Sequence, residues 1–374
     1  MSALLASLPA MDVEGRLRRL QGALGELADR CDALLVTHLT NVRYLTGFTG
    51  SAALLLVPAD GSAVLVTDGR YEEQAGEEVA RAGAAAEVQI GRSAATQREL
   101  LTALTGSLPT LGLEADHVSW ADQRRYAGSW FGHAELVATD GLVEALRRTK
   151  DEGEVARIEA ACAIADQALG EVAPELDRGA TELAFARVLD ERMRHLGADD
   201  ISFETIVASG PNGSRPHHSP GERSIEPGDL VVIDFGALVD GYHSDMTRTF
   251  AVGGPEALTA EQRRMLTVVA EAQAAGVAVV APGVATRAVD EACRTVITEA
   301  GWGDAFVHGT GHGVGLDIHE APAVGATADA TLAPGHVVTV EPGVYLPGHG
   351  GVRIEDTVVV TSAGHRTLTL APKS

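Results

Sequence analysis

Residues 229–250 read DLVVIDFGALVDGYHSDMTRTF. Leu230–Phe235 is apolar and rich in β-branched residues except for Asp234, which predicts a strand with one carboxylate set into it. Asp240-Gly241 is a turn signal, and a second predicted strand follows with Asp245 on it. A loop over Leu238–Gly241 would pair Asp234 directly with Asp245. A tighter turn at Asp240-Gly241 would set Asp234 opposite Thr247, with Asp245 as the diagonal neighbour. Both registers leave the two aspartates on one face, because strand side chains alternate with period two. Two such carboxylates repel unless both face water or a cation lies between them. The buried-looking neighbours of Asp234 favour the cation.

The stretch VVTVEPGVYLPGHGGVRIEDTVVV, residues 337–360, repeats the design. A strand ends at Glu341, a Gly/Pro-rich loop follows, and the return strand carries Glu355. Their midpoint is Gly348, so a second hairpin would bring the two glutamates together. Between the hairpins lies FVHGTGHGVGLDIHEAP, residues 306–322, with His308, His312 and His319 among four glycines. Glycine permits close backbone approach, and neutral histidine is the commonest metal ligand. The string fits neither a P-loop nor a strict GxGxxG, and HExxH and GxSxG are absent from the sequence. Four carboxylates and one imidazole carry a charge that two divalent cations balance. Oxygen ligands with one imidazole suit Mn, Co, Zn or Fe, and carboxylates bridge such pairs naturally.

Upstream, the first 140 residues alternate predicted helices and strands, an α/β arrangement. VEGRLRRLQGALGELADR has helical spacing; DALLVTH, the two halves of SAALLLVPADGSAVLVTDGRY, AAAEVQI and TLGLEA read as strands. A charged amphipathic stretch near 141–172 predicts one long linker helix, so the domains divide as 1–140 and 141–374. The second domain adds helices at TELAFARVLDERMRHLG, TAEQRRMLTVVAEAQAAGVAVV and ATRAVDEACRTVITEAG, and reads as α+β. Ten of the thirteen histidines lie there, which places the chemistry in this half.

The 374 residues carry a formal charge of −23 with 45% apolar content. A sizeable core is possible, and a sequence-independent grip on nucleic acid or anionic lipid is disfavoured. Cys31, Cys162 and Cys293 form no CxxC pair, and no positive charge precedes the apolar N-terminal stretch before Arg16. Both features point to a reducing, cytoplasmic setting without a secretory signal. No run approaches a membrane span.

Together VVIDFGA…SDMTRTF, GTGHGVGLDIHE, VEPGVY and GGVRIEDT resemble the pita-bread metallopeptidases: methionine aminopeptidase, prolidase and aminopeptidase P. The likeness extends upstream to SRPHHSPGERSIEPGDLVVIDFGA. TNVRYLTGFTGS and VTDGRY resemble the creatinase-like (RNase H-like) amino-terminal domain of the Xaa-Pro peptidases, which methionine aminopeptidase lacks. The resemblance implies a dinuclear centre held by Asp234, Asp245, His312, Glu341 and Glu355, with manganese first and cobalt or zinc next. Asp245 and Glu355 would bridge. Glu341 would double as general base, His217 would be the mobile histidine near the scissile bond, and His319 would contact the substrate carbonyl. His218, beside it, matches less well. His308, Tyr345 and Arg353 match positions that touch or support the substrate.

The function implied is hydrolysis of an Xaa-Pro bond at a peptide N-terminus. RYLTGFTGS and TDGRY favour aminopeptidase P, acting on longer peptides, over prolidase, which cuts dipeptides. Creatine amidinohydrolase and inert binding relatives share the fold, but retention of all five ligand types argues against both. Peptides with proline second would be the partners, with no nucleic acid or membrane. Relatives are commonly dimers or tetramers, so a homodimer is expected.

Overall fold

The computed structural model describes residues 3–27 and 31–373. The chain divides into two compact units, Met11–Arg147 and Arg148–Ser374 joined by Met1–Ala10. The division therefore falls after Arg147, not at 140. The predicted linker helix is two helices, Leu142–Arg147 and Glu152–Val172. Asp151 stops the first from continuing: its side chain accepts from Glu154 N while Glu154 reaches back to Asp151 N, a capping box that starts a new helix. The N-terminal residues join the second unit because Leu4, Leu5 and Leu8 pack on its core.

The first unit holds one six-stranded mixed sheet. Its strands are β1 (Ala33–Val36), β2 (Ala53–Pro58), β3 (Ala63–Thr67), β4 (Ala86–Ile90), β5 (Thr110–Glu114) and β6 (Glu135–Thr139), in the order β4-β3-β2-β1-β5-β6. The five predicted strands form, and β6 adds a sixth whose short, half-exposed sequence carries little signal. The predicted N-terminal helix forms as Val13–Gly25; its last predicted residues, 28–30, lie outside the described residues.

The second unit is built from two similar halves. In each, a pair of helices packs on a hairpin. Glu152–Val172 and Glu182–His195 bury Leu169, Phe185 and Leu189 against Val231, Ile233 and Phe235. Ala260–Val279 and Thr286–Glu299 bury Val269, Val289 and Ile297 against Val338, Val340 and Val358. Each such fully buried side chain contributes roughly 1.5–3 kcal/mol.

The strands of the first half are β7 (Asp200–Ile201), β8 (Ile206–Ser209), β9 (Leu230–Phe235), β10 (Ala237–Val239), β11 (Tyr242–His243) and β12 (Met246–Ala251). Those of the second are β13 (Gly311–Gly313), β14 (Glu320–Val324), β15 (Val337–Val340), β16 (Gly343–Leu346), β17 (Gly350–Arg353), β18 (Asp356–Thr361) and β19 (Gly364–Thr367).

β9 and β12 pair with Asp234 opposite Thr247, the tighter of the two predicted registers. Asp240 and Gly241 have φ of 48° and 77°, the two left-handed residues of a two-residue hairpin turn. β15–β18 and β16–β17 are two ladders of common register, Val340 facing Asp356 and Gly343 facing Arg353. Glu341 and Glu355 thus oppose each other in the gap between them. Threonines stitch the halves together. Thr249 Oγ1 donates to Arg353 O at 2.8 Å, and Thr357 Oγ1 donates to Asp245 O at 2.8 Å. Glu355 N also donates to Thr247 O at 3.1 Å.

Candidate active site

The second unit contains a cavity of about 270 Å³. Asp234, Asp245, His312, Glu341 and Glu355 line it, as do His217, His308, His319 and Arg353. One structural pocket therefore gathers nine of the ten residues singled out in the sequence. Tyr345, expected to touch or support the substrate, packs behind the residues that line the cavity. It is buried, and its hydroxyl sits between Arg353 Nη1 and His308 Nε2, each at 2.8 Å.

Each functional side chain has a local reason for its place. Asp234 and Asp245 share a sheet face because the hairpin register is set by the Asp240-Gly241 turn. Gly236 sits opposite Asp245, where a Cβ would lie 1.9 Å from Ser244 O. His312 rides on β13, whose Gly311 lies so close to β15 that a Cβ would meet Thr339 O at 2.1 Å. Thr339 Oγ1 accepts from His312 N at 3.1 Å and donates to Glu341 Oε1 at 3.1 Å, so one hydroxyl sets two candidate ligands.

His312 decides what the cluster can hold. Its Nδ1 lies 3.0 Å from Gly313 O; a carbonyl only accepts, so Nδ1 carries the proton. Burial pushes the imidazole down to about 4, so at neutral pH it is uncharged and Nε2 presents a lone pair. That nitrogen faces Asp245 Oδ2 at 3.5 Å and Glu341 Oε1 at 3.4 Å. With both carboxyls ionised, lone pairs face lone pairs, which is repulsive unless a cation lies between them; without one the carboxyls must hold protons.

The carboxylates tell the same story. Burial first, then repulsion from Glu355, Asp234 and Glu341, lifts Asp245 well above the usual carboxylate range. Burial, with repulsion from Glu341 and Asp234, does the same to Glu355. Burial raises Glu341 to about 7, with Arg353 pulling the other way and Asp234 adding to the rise. Asp234 Oδ1 and Glu355 Oε1 are buried with no hydrogen-bond partner among the described residues. Unpartnered buried oxygens cost about 1–3 kcal/mol each, and a cation would satisfy them. Ligand atoms of Asp245, His312 and Glu355 lie within 4.8 Å of one another. The residues fit a divalent metal centre.

Around the carboxylates runs a chain the sequence does not disclose. Arg353, 3% exposed, donates from Nη2 to Asp234 Oδ2 at 2.6 Å and from Nε to Thr247 Oγ1 at 3.1 Å. Thr247 Oγ1 in turn donates to Glu355 Oε2 at 2.7 Å. A buried guanidinium thus holds one oxygen of Asp234 and, through Thr247, one oxygen of Glu355, leaving their other oxygens to the cavity. Thr247 is two residues beyond Asp245 on the same strand face, the signal by which it could have been found. His308 uses both ring nitrogens, Nδ1 to Gly309 O at 2.7 Å and Nε2 to Tyr345. His319 packs edge-on against His312, ring centroids 4.3 Å apart. Phe203, Ile206 and Ile318 add an apolar wall that the sequence reading missed.

A second group of metal-capable side chains, His38, His117 and Glu144, lies in the first unit. Its imidazoles stack in parallel, centroids 3.8 Å apart and planes 6° apart. A nitrogen lone pair lies in its ring plane, so parallel rings do not converge on one ion.

Residues 156–362 match the family described as Metallopeptidase family M24. The chain belongs to that family. Residues 16–149 match the Creatinase/Prolidase N-terminal domain. The chain is 41% identical over 358 residues to the uncharacterized peptidase YqhT of Bacillus subtilis, covering 96% of this chain and 98% of that protein. The solved structure of an Xaa-Pro dipeptidase from Bacillus anthracis superposes with a TM-score of 0.91 at 38% identity, covering 97% of this chain and 99% of that one. An X-Pro aminopeptidase from Thermotoga maritima superposes with a TM-score of 0.85 at 35% identity, covering 95% and 99%. The two-domain creatinase and pita-bread fold expected from the motifs is the fold of this family. Among the described residues no helix is long and apolar enough to cross a membrane.

Proposed function

We propose that this chain hydrolyses the bond between a first residue and proline, with the Xaa-Pro dipeptide as its preferred length. The carrying observation is the neutral His312 facing two carboxylates in a cavity that also holds two unpartnered buried oxygens. Asp234, Asp245, His312, Glu341 and Glu355 would hold two divalent ions, with manganese as the first choice. Bound there, the ions would lower the pKa of a water and polarise the substrate carbonyl.

Glu341 is the base in this reading. Its carboxylate lines the cavity and is more exposed than that of Asp245, 17% against 6% of the side chain. It takes the proton of the attacking water and returns it to the proline nitrogen as the C–N bond breaks. His319 and His217 donate to the carbonyl oxygen as negative charge builds on it. Arg353 keeps Asp234 and Thr247 in place throughout. The tertiary amide before proline has no N–H to satisfy, and the apolar wall of Phe203, Ile206 and Ile318 suits a pyrrolidine ring.

The preference for dipeptides replaces the length expected from the amino-terminal motifs. It is supported by the small cavity and by the Bacillus anthracis dipeptidase, more alike in sequence and fold than the Thermotoga maritima aminopeptidase. That aminopeptidase supports the second reading, removal of the first residue from longer peptides. A reducing location is supported by three free, buried cysteines.

The test is turnover of Met-Pro, Met-Ala and Arg-Pro-Pro by manganese-loaded protein. Rapid cleavage of Met-Pro alone fits the proposal. Faster cleavage of Arg-Pro-Pro selects the second reading, and cleavage of Met-Ala at the same rate as Met-Pro removes proline specificity altogether.

A further inference from the structure

Glu182 opens the helix Glu182–His195 and is 0% exposed. A lone carboxylate so deep in a protein needs compensation. Its compensation comes from one loop. Oε1 accepts from Ser209 N at 2.7 Å, Ser209 Oγ at 2.6 Å and Asn212 Nδ2 at 3.0 Å. Oε2 accepts from His218 Nε2 at 2.9 Å and Gly221 N at 3.1 Å. Two backbone bonds tighten the same joint, Glu182 N to Arg223 O and Leu183 N to Gly221 O, both 3.0 Å. Burial works to raise this carboxyl, but the hydrogen bonds from Ser209, Asn212 and His218 prevail and hold it below its ordinary value. It stays ionised.

The two feet of the loop, 209–212 and 218–223, therefore meet on one carboxylate. Between them the loop carries His217, which lines the catalytic cavity. The imidazole of His217 makes no hydrogen bond to any described residue, so its direction follows from the backbone that bears it. Two further contacts set that backbone. Gly213 packs on β17, where a Cβ would lie 2.9 Å from Gly351 N, and Pro216 O accepts from Arg353 Nη1 at 3.4 Å.

We propose that Glu182 and His218 are positioning residues. By closing the base of the 209–223 loop, they hold His217 over the metal-binding carboxylates. His218 is the nearer half of the device: with its ring anchored inward on Glu182, at 10% side-chain exposure, its neighbour is presented to the cavity. Displacement of a catalytic group by about 1 Å costs on the order of 100-fold in rate. Loss of the anchor acts on kcat, because His217 serves the transition state, and not on metal binding, because none of the five candidate ligands lies on this loop.

The inference rests on the Xaa-Pro reading for its kinetic arm only. His218→Leu, in manganese-loaded protein, is expected to lower kcat on Met-Pro about 10- to 100-fold with KM within about twofold. His218→Gln keeps an N–H near Nε2 and is expected to recover most of that loss. In a His217→Ala background, His218→Leu is expected to cost less than about twofold, since it acts through a side chain already removed. Amide hydrogen exchange supplies the second arm. Glu182→Gln and His218→Leu should speed exchange across residues 210–221 while bound manganese stays at the wild-type ratio. If Glu182→Gln does not fold, His218→Leu leaves the carboxylate its four other donors and carries both arms. Multiplicative losses in the double variant, or unchanged exchange in the loop, overturn the proposal. A wild-type protein inactive on every Xaa-Pro substrate overturns the functional reading instead, and loop exchange then decides this one.

Discussion

Replacing Glu341 with glutamine should make the metal-free protein more stable at pH 8, while removing its activity. In the folded chain without cations the Glu341 carboxyl sits at about 7, against 4.5 unperturbed. The folded state therefore holds a proton that the unfolded chain releases. Ionisation penalises folding as pH rises from 4.5 through about 7, and the penalty is complete above that. At about 1.4 kcal/mol per pH unit it amounts to about 3 kcal/mol at pH 8, and to less than about 1 kcal/mol at pH 5. Glutamine keeps the shape, and its amide oxygen can still accept from Thr339 Oγ1, but it carries no charge to repel Asp234. Thermal unfolding after exhaustive chelation measures the difference. For a unit of this size, about 3 kcal/mol corresponds to a midpoint roughly 6–12 °C higher in the variant at pH 8, most of which should vanish at pH 5. Saturating manganese should reverse the order, because an ion that binds only the folded state stabilises it and the variant lacks one of the proposed oxygen donors. A metal-free variant less stable than wild type at pH 8, or a gap independent of pH, would show that the carboxylates are not in electrostatic conflict.

Other perturbations follow from the same geometry. Arg248, 1% exposed, donates to Asp356, Thr247 O, Glu355 O and Ala371 O; Arg248→Ala leaves buried Asp356 with Lys373, Gln273 and Thr369 but takes the side-chain donor from three carbonyls, and should lower stability by roughly 3 kcal/mol in urea denaturation. Gly311→Ala drives a methyl group against Thr339 O and should move His312, so metal analysis after dialysis should find less than half the wild-type manganese. His336 is buried, pushed down to about 4 by burial with Lys150 and Arg148 nearby, and its Nδ1 accepts from Ala333 N at 3.3 Å. The unfolded chain takes up that proton below about 6.5 and the folded chain does not, so stability falls as pH drops from 6.5 to 4. His336→Asn keeps an acceptor and should flatten that decline by about 3 kcal/mol, measured as the pH dependence of the denaturation midpoint.

Several features of the site were legible because they depend on local rules. Asp234 and Asp245 had to share a face in either register, since strand side chains alternate with period two. The spacing of Glu341 and Glu355 about Gly348 predicted their pairing, and the two ladders in common register set them opposite each other. The break between the helices Leu142–Arg147 and Glu152–Val172 is equally local: Asp151 and Glu154 form its capping box within the polar run RRTKDEGE, residues 147–154.

The rest was decided by contacts between residues far apart in sequence. From sequence, Arg353 is as compatible with an exposed ion pair as with a site; 119 residues separate it from the Asp234 it holds. For Tyr345 the sequence left open whether it touches or supports the substrate; in the fold its hydroxyl joins Arg353 to His308. Glu182 carries no motif, and its role exists only because loop residues 27–39 positions away bring five donors to it. The sequence by itself determined which residue types could hold cations and which strand face they share, because those follow from chemistry and backbone geometry within one hairpin. Only the tertiary structure decided which groups meet, how each carboxylate is oriented and what braces them, because hydrogen bonding and desolvation depend on neighbours that folding alone brings together.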